Sequence, residues 1–309
     1  MLSLRSSTLS VSLLDPRTGS ERIGPRYCAG GQVLQVTDTS RSPALAPGTG
    51  TLDGAWPTPS PDDLLSSLDL AGFLELNGGQ GLPDSFTHRP LDSPDGARTA
   101  LAIGVGLQST PGPAGAPGAR SVLELCDWTV EATPTPGWRF ATAQTLGGWG
   151  LELERTVSLL GERTVRVETA LRNTGELRIP LVWHPHPFYP WPTGKALMKT
   201  NLELSLQEGD GYSIDSAGYL CRETEDPQMG FLHHEARSDA PLMLVQPHPI
   251  VGMVAARCSY TPTFFPVWGN ENTFSWEPYF ERTVQMGQEE RWHIDYEFGE
   301  RPTAAPSKL

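Results

Sequence analysis

The chain has 309 residues, with 36 acidic against 23 basic side chains and a formal charge of −13. That balance excludes a nucleic-acid backbone as partner, because phosphate binding needs a basic footprint. With 32 Gly and 29 Pro the chain is not mostly helical, and with 38% hydrophobic residues it is not wholly disordered.

Two domains or one large all-β unit both fit this length. Lysine occurs only at Lys195, Lys199 and Lys308, never in a Gly-Lys-Ser/Thr setting, so a P-loop nucleotide site is excluded. A Schiff-base lysine would have to be Lys195 or Lys199. Cys28, Cys126, Cys221 and Cys258 form no C-x-x-C pair and are too sparse for a disulfide scaffold. Free thiols in a reducing cytosol are expected. The stretch MLSLRSSTLSVSLLDP lacks the apolar core of a signal peptide, and no run reaches the ~18–20 apolar residues of a membrane span. A soluble, cytoplasmic protein with no membrane partner is expected.

In chain order, Gln32–Asp38 reads as a strand after Gly30-Gly31, and Ser40–Pro59 as a long Pro/Gly/Ser/Thr excursion. A helix is predicted from Ser60 to Gly72. Ser60 can cap it, Pro61 suits its first position, Asp62 and Asp63 suit its positive end, and Leu64, Leu65 and Leu68 form a stripe. Leu101–Leu107 is a short apolar run with strand character, and Ser109–Gly118 is low-complexity. From Trp138 β character dominates. In Thr164–Asn173 the residues Val165, Val167, Thr169 and Leu171 share one face, and Arg166, Glu168 and Arg172 the other. A turn at Asn173-Thr174-Gly175 predicts a hairpin returning through Glu176–Phe188, with Leu177, Ile179, Leu181 and Trp183 on its apolar side. After a turn at Gly287–Glu290, Trp292, Ile294, Tyr296 and Phe298 alternate with His293, Asp295 and Glu297. Strands with irregular loops predict a large β-sandwich.

Two stretches carry chemistry. In Trp183-His184-Pro185-His186-Pro187-Phe188-Tyr189-Pro190-Trp191 each proline forces its predecessor towards extended backbone, so His184 and His186 project in nearly the same direction. The prolines also remove backbone donors, which suits a sheet edge or cavity rim. A histidine can donate a proton near neutrality, and the neighbouring aromatics can stack on a sugar ring. The pair can equally be structural, or bind metal if a distant third ligand exists. The second stretch, Phe264–Phe280, sets Glu277 between Trp276 and Pro278 among many rings. Desolvation there would fit the carboxylate for work as a base. A salt-bridged Glu at a strand end is the alternative, and Glu271 in the polar loop GNENT is the competing carboxylate.

H-P-F-Y at His186–Tyr189, after an N-T-G turn, resembles the H-P-Y-F segment of the aldose 1-epimerase (galactose mutarotase-like) family. S-W-E-P-Y-F at Ser275–Phe280, followed by R-W-H-I-D-Y-E-F at Arg291–Phe298, resembles that family's C-terminal signature. Weaker similarities lie at Gly24-Pro25-Arg26-Tyr27 with Gly31-Gln32-Val33, and at Ala102–Leu107. The matches run in order from about residue 20 to 299. The resemblance implies an all-β, antiparallel β-supersandwich with few short helices. It would form a single domain over residues 1–309, with a core from about 20 to 299 and a tail at 300–309. It also implies an isomerase that needs no cofactor or metal and interconverts sugar anomers. By motif position Glu277 becomes the general base and His186 the general acid, meeting across a shared pocket. Arg26, His88, His184, Trp191 and Trp276 are expected to bind substrate, Arg26 through a sugar hydroxyl or a sugar phosphate, while His184 would orient the substrate or merely pack. The partner implied is a small-molecule sugar, bound by a monomer or weak dimer.

The sequence lacks the family's N-x-x-H-G-G element. In its approximate place stands Gly78–Pro90, where His88 is the nearest candidate and Arg89 and Asp84 weaker ones. The family's sugar-gripping aspartate has no clear match and is left unassigned. Three other readings stand beside the isomerase: a sugar-6-phosphate epimerase of the same fold, a non-catalytic carbohydrate-binding protein, and a glycoside hydrolase. The hydrolase would need a second carboxylate about 5–10 Å from Glu277, for which Asp84, Asp210 and Asp215 are the candidates.

Overall fold

The computed structural model describes residues 1–39, 82, 84–86, 90–110, 121–206, 211–224, 232–236, 239–269 and 273–299. Its largest element is a ten-stranded sheet whose neighbours all run antiparallel. At its centre Thr164–Asn173 lies between Trp149–Leu160 and Glu289–Gly299. The predicted alternation holds there: Val165, Val167, Thr169 and Leu171 are buried, while Arg166, Glu168 and Arg172 point outward. Trp292, Ile294, Tyr296 and Phe298 line the same inner face.

Smaller sheets cover that face. A five-stranded sheet contains Tyr189–Pro190, Thr273–Trp276 and Phe265–Gly269, and a three-stranded sheet joins Phe280–Val284, Ile179–Pro185 and Asp84–Ser85. Trp183 and Phe280 pack on Trp292 at ring separations of 5.4 and 4.7 Å, and Trp276 stacks on Tyr296 at 6.1 Å. The architecture is therefore an all-β sandwich. Among the described residues the helices are one turn at Pro16–Gly19, capped by Asp15, and a 3-10 turn at Ser20–Arg22. None is long and apolar enough to cross a membrane. Cys28, Cys126, Cys221 and Cys258 are unpaired.

Four sequence expectations need correction. The core does not start near residue 20: Leu2–Arg5 and Leu9–Leu13 form a hairpin that joins Val33–Asp38 and buries Leu4, Leu9, Val11 and Leu13. Leu101–Leu107 is not one strand but the tip of a hairpin, Thr99–Ala102 against Gly106–Ser109. Gly104 turns it at φ 73°, and Gly106 at φ 139° approaches the Glu124 carbonyl so closely that a Cβ would sit 1.9 Å from it. The chain after Asn173 does not return along Thr164–Asn173, whose two edges are already occupied. Ile179–Pro185 pairs instead with Phe280–Val284 in the other layer. The Asn173 side chain fixes that exit by donating to Leu177 O and Val284 O and accepting from Gly175 N–H. Finally, the strand predicted from Gln32 begins at Val33. The predicted helix at 60–72, the excursion 40–59, most of the loop 109–118 and the tail 300–309 lie outside the described residues.

His248 ends the strand Met243–His248 and is buried. Its Nδ1 accepts the amide N–H groups of Ile250 and Val251 at 3.2 and 3.3 Å, which places the ring proton on Nε2. Burial pushes its pKa down to about 3. The unfolded chain therefore takes up a proton near pH 6.5 that the folded chain refuses. The associated stability is present above that pH and is lost as pH falls towards 3. His248→Asn keeps an acceptor for both amides and removes the titration. Urea unfolding at pH 6.5 and 4.5 should show the wild type losing about 2–3 kcal/mol more than the variant over that interval.

Candidate active site

Two chain segments cross from the three-stranded to the five-stranded sheet side by side. Trp183 pairs with Phe280 on one side of the crossing, and Tyr189 with Phe274 on the other. Stepping inward from either end gives the same antiparallel register, with His184 opposite Tyr279, Pro185 opposite Pro278, His186 opposite Glu277, Pro187 opposite Trp276 and Phe188 opposite Ser275. Glu277 and Tyr279 donate their amides away from this partner, to Pro266 O and Phe264 O at 2.9 and 2.8 Å. By antiparallel alternation Pro185/Pro278 and Pro187/Trp276 are then the pairs that would exchange ladder hydrogen bonds. Three of those four residues are prolines without an N–H, so the ladder opens there. The Pro278 carbonyl is satisfied instead by the Tyr260 hydroxyl at 2.9 Å.

The remaining pairs bring their side chains close on one face. His184 stacks on Tyr279, with rings 4.4 Å apart and 9° from parallel. His186 Nε2 lies 3.2 Å from Glu277 Oε1, and His184 Nε2 lies 3.5 Å from Oε2. Ser275 Oγ is 3.3 Å from His186 Nδ1. A third strand adds Phe264 beside Tyr279 and Trp268 beside His186, at ring separations of 5.2 and 5.5 Å. Phe188 and Tyr27 complete the wall around His186 at 4.9 and 5.7 Å. Tyr27 belongs to a small core with Leu14, Ile23, Ala29, Leu34 and Phe188, and Gln108 holds the preceding Pro25 carbonyl.

His184, His186 and Glu277 are 0%, 1% and 2% exposed. A carboxylate so placed needs charged or hydrogen-bonding partners, and the two imidazoles supply them. Burial, and then the Glu277 carboxylate, push the Tyr279 phenol well above its usual range, with Arg26 opposing. Arg26 lies 5.1 Å over the Tyr27 ring and is partly exposed, as are Phe264 and Trp268. Among the described residues around the buried groups, these three keep part of their surface exposed. A groove of about 530 Å3 lies elsewhere, on the outward face of the ten-stranded sheet over Ala141, Ala143 and Ala170.

The expectation of two groups facing each other across a pocket is therefore replaced by direct contact. Trp276 and Trp191 are packed away from the substrate-binding role expected of them. Trp276 lies between Tyr189 and Tyr296 and donates to Gln246 Oε1 at 2.8 Å. Trp191 lies between Phe274 and the Arg222 guanidinium, its edge against Gly269, where a Cβ would come within 2.4 Å. The partly exposed Trp268 is the ring beside His186. Its place on the same face as Ser275 follows from the Val267/Trp276 register, which no local pattern reveals. Ser275 and Tyr279 were legible only as alternate positions around Glu277. His88, Arg89, Asp210 and Glu271 lie outside the described residues, and of Asp84 only the backbone pairing with Pro185 is described. Asp215 is exposed and caps its own turn through the amides of Ala217 and Tyr219. Among the described residues no three His, Cys, Asp or Glu side chains are grouped to hold a metal ion.

No protein-family model matches the chain, and no curated protein matches it in sequence. Solved structures do. A galactose mutarotase related enzyme from Lactobacillus acidophilus aligns over 100% of this chain and 99% of its own, at 11% identity and a TM-score of 0.56. A galactose mutarotase-like protein from Lactobacillus casei aligns over 96% and 99%, at 12% identity and 0.53. Another from Clostridium acetobutylicum aligns over 97% and 95%, at 11% identity and 0.51. The fold is thus the galactose mutarotase-like β-sandwich.

Tyr260→Phe leaves the Pro278 carbonyl buried without its phenol partner. The cost of such a group is about 1–3 kcal/mol, to be read as a lower urea midpoint at unchanged slope.

Proposed function

We propose that the protein is an aldose 1-epimerase-like isomerase that interconverts the α and β anomers of an aldose, with Glu277 as base and His186 as acid. The observation that carries this reading is the 3.2 Å approach of His186 Nε2 to Glu277 Oε1 within a wall of rings. Anomer exchange acts on two oxygens bonded to one carbon, so its acid and base must stand side by side rather than on opposite faces of the sugar. Glu277 takes the proton of the C1 hydroxyl while the His186 imidazolium gives its Nε2 proton to the ring oxygen. The C1–O5 bond breaks and leaves an aldehyde. After rotation about C1–C2, the C5 hydroxyl adds to the other face of C1. His186 takes back its proton, and Glu277 returns the other to O1. No atom is gained or lost, and no cofactor takes part. The aromatic wall excludes water and strengthens both charged contacts. The fold shared with a galactose mutarotase related enzyme supports this reaction class.

Arg26 favours a second reading, in which the substrate carries a phosphate. Its guanidinium is a positive charge over the Tyr27 ring, close enough to act on Tyr279, and is partly exposed. A third reading is a carbohydrate-binding protein without catalysis.

Anomer exchange followed by NMR over a panel of free and phosphorylated aldoses separates the three. Acceleration of plain hexoses supports the first reading. Preference for phosphorylated ones, lost in Arg26→Ala, supports the second. Saturable binding without acceleration supports the third. For either isomerase, Glu277→Gln and His186→Asn should each lower kcat at least about 100-fold. Near-normal polarimetric rates in both variants would remove the assignment.

A further inference from the structure

We propose that Ser275 is a positioning residue for His186, holding Nδ1 in a hydrogen bond through every protonation state so that Nε2 is the nitrogen that exchanges a proton with substrate. This rests on the reading of His186 as the acid. Ser275 lies two residues before Glu277, on the same face of the same strand, and is wholly buried. Its neighbours on that face are Phe188, opposite it, and Trp268, paired with it on the other edge. Its Oγ lies 3.3 Å from His186 Nδ1, while the other ring nitrogen faces Glu277 at 3.2 Å. The rings of Tyr27, Phe188, Trp268 and His184 also border His186.

An ionised carboxylate only accepts hydrogen bonds, so a neutral His186 facing Glu277 keeps its proton on Nε2 and leaves Nδ1 as an acceptor. The imidazolium that acts as acid carries protons on both nitrogens, and Nδ1 is then a donor. After Nε2 has released its proton to the ring oxygen, Nδ1–H remains a donor while Nε2 waits, bare, to take a proton back. The Ser275 hydroxyl serves all three states by rotation, donating to Nδ1 in the first and accepting from it in the other two. A carbonyl in its place would only accept and would favour the charged ring. An amide N–H would only donate and would favour the neutral one. A buried nitrogen without such a partner would carry a desolvation cost in at least one state, and that cost would enter the barrier.

The test has an arm that does not depend on catalysis. In 15N spectra of the histidine rings, Ser275→Ala should move the His186 Nδ1 resonance while leaving Nε2 nearly in place, and Ser275→Thr, which keeps a hydroxyl, should restore the wild-type position. An Nδ1 resonance identical in wild type and Ser275→Ala would overturn the proposal. In the anomer-exchange assay Ser275→Ala should lower kcat about tenfold with KM within about twofold, and Thr should recover most of the loss. Wild-type kcat in the Ala variant would likewise overturn it. If the wild type accelerates no anomer exchange, the functional reading fails, and the ring-nitrogen spectra alone decide whether Ser275 holds Nδ1.

Discussion

The site exists because an antiparallel ladder is interrupted without changing register. Pro185, Pro187 and Pro278 remove donors where two hydrogen-bonded pairs would form, yet Trp183/Phe280 and Tyr189/Phe274 keep the strands aligned on either side. A missing N–H leaves a carbonyl to satisfy, and Tyr260 does so for Pro278. The gap is therefore not loose. It is closed by the other edge of the Glu277 strand, whose amides remain bonded to Pro266 and Phe264. Rigid strands thus aim His186 and Glu277 at each other, which locates the pair more tightly than loop positions would.

Burial then sets the character of the contact. In water an imidazole–carboxylate pair contributes little, because solvent screens it and competes for its hydrogen bonds. Inside a wall of Tyr27, Phe188, Trp268 and Tyr279 the same contact strengthens, and an unpaired charge becomes costly. The arrangement suits proton transfer on the proposed reading, because both groups can change charge together and leave the site's total unaltered.

Local patterns made much of this legible. The strict alternation of Thr164–Asn173 fixes which face is inside, and the proline-spaced His184 and His186 mark a broken edge before any partner is known. What stayed illegible depends on pairing between distant segments. The N-T-G turn suggests a hairpin, but both edges of the preceding strand were taken by Trp149–Leu160 and Glu289–Gly299, so the chain had to change layer. The N-terminal strands are short and interrupted by Ser and Arg, and their burial depends on pairing with each other and with Val33–Asp38. Trp191 and Trp276 lie beside the right motifs, yet strand parity turns them into packing against Phe274, Tyr189 and Tyr296. Sequence proximity to a site says little about which face a side chain takes; a one-residue step reverses it.

The two imidazoles on Glu277 are not equivalent, and the difference follows from their neighbours. His184 lies flat on Tyr279, which restricts its ring to the plane of the stack and leaves its Nε2 3.5 Å from Oε2. His186 meets its neighbouring rings at tilted or edge angles, stands closer to the carboxylate, and has a hydroxyl behind its far nitrogen. A ring held by stacking suits a fixed charge partner. A ring with polar groups at both nitrogens suits a group whose proton comes and goes. On the proposed reading His184 therefore steadies one carboxylate oxygen while His186 shares the proton chemistry of the other. The H-x-H spacing supplies both from one strand because alternate residues face the same side.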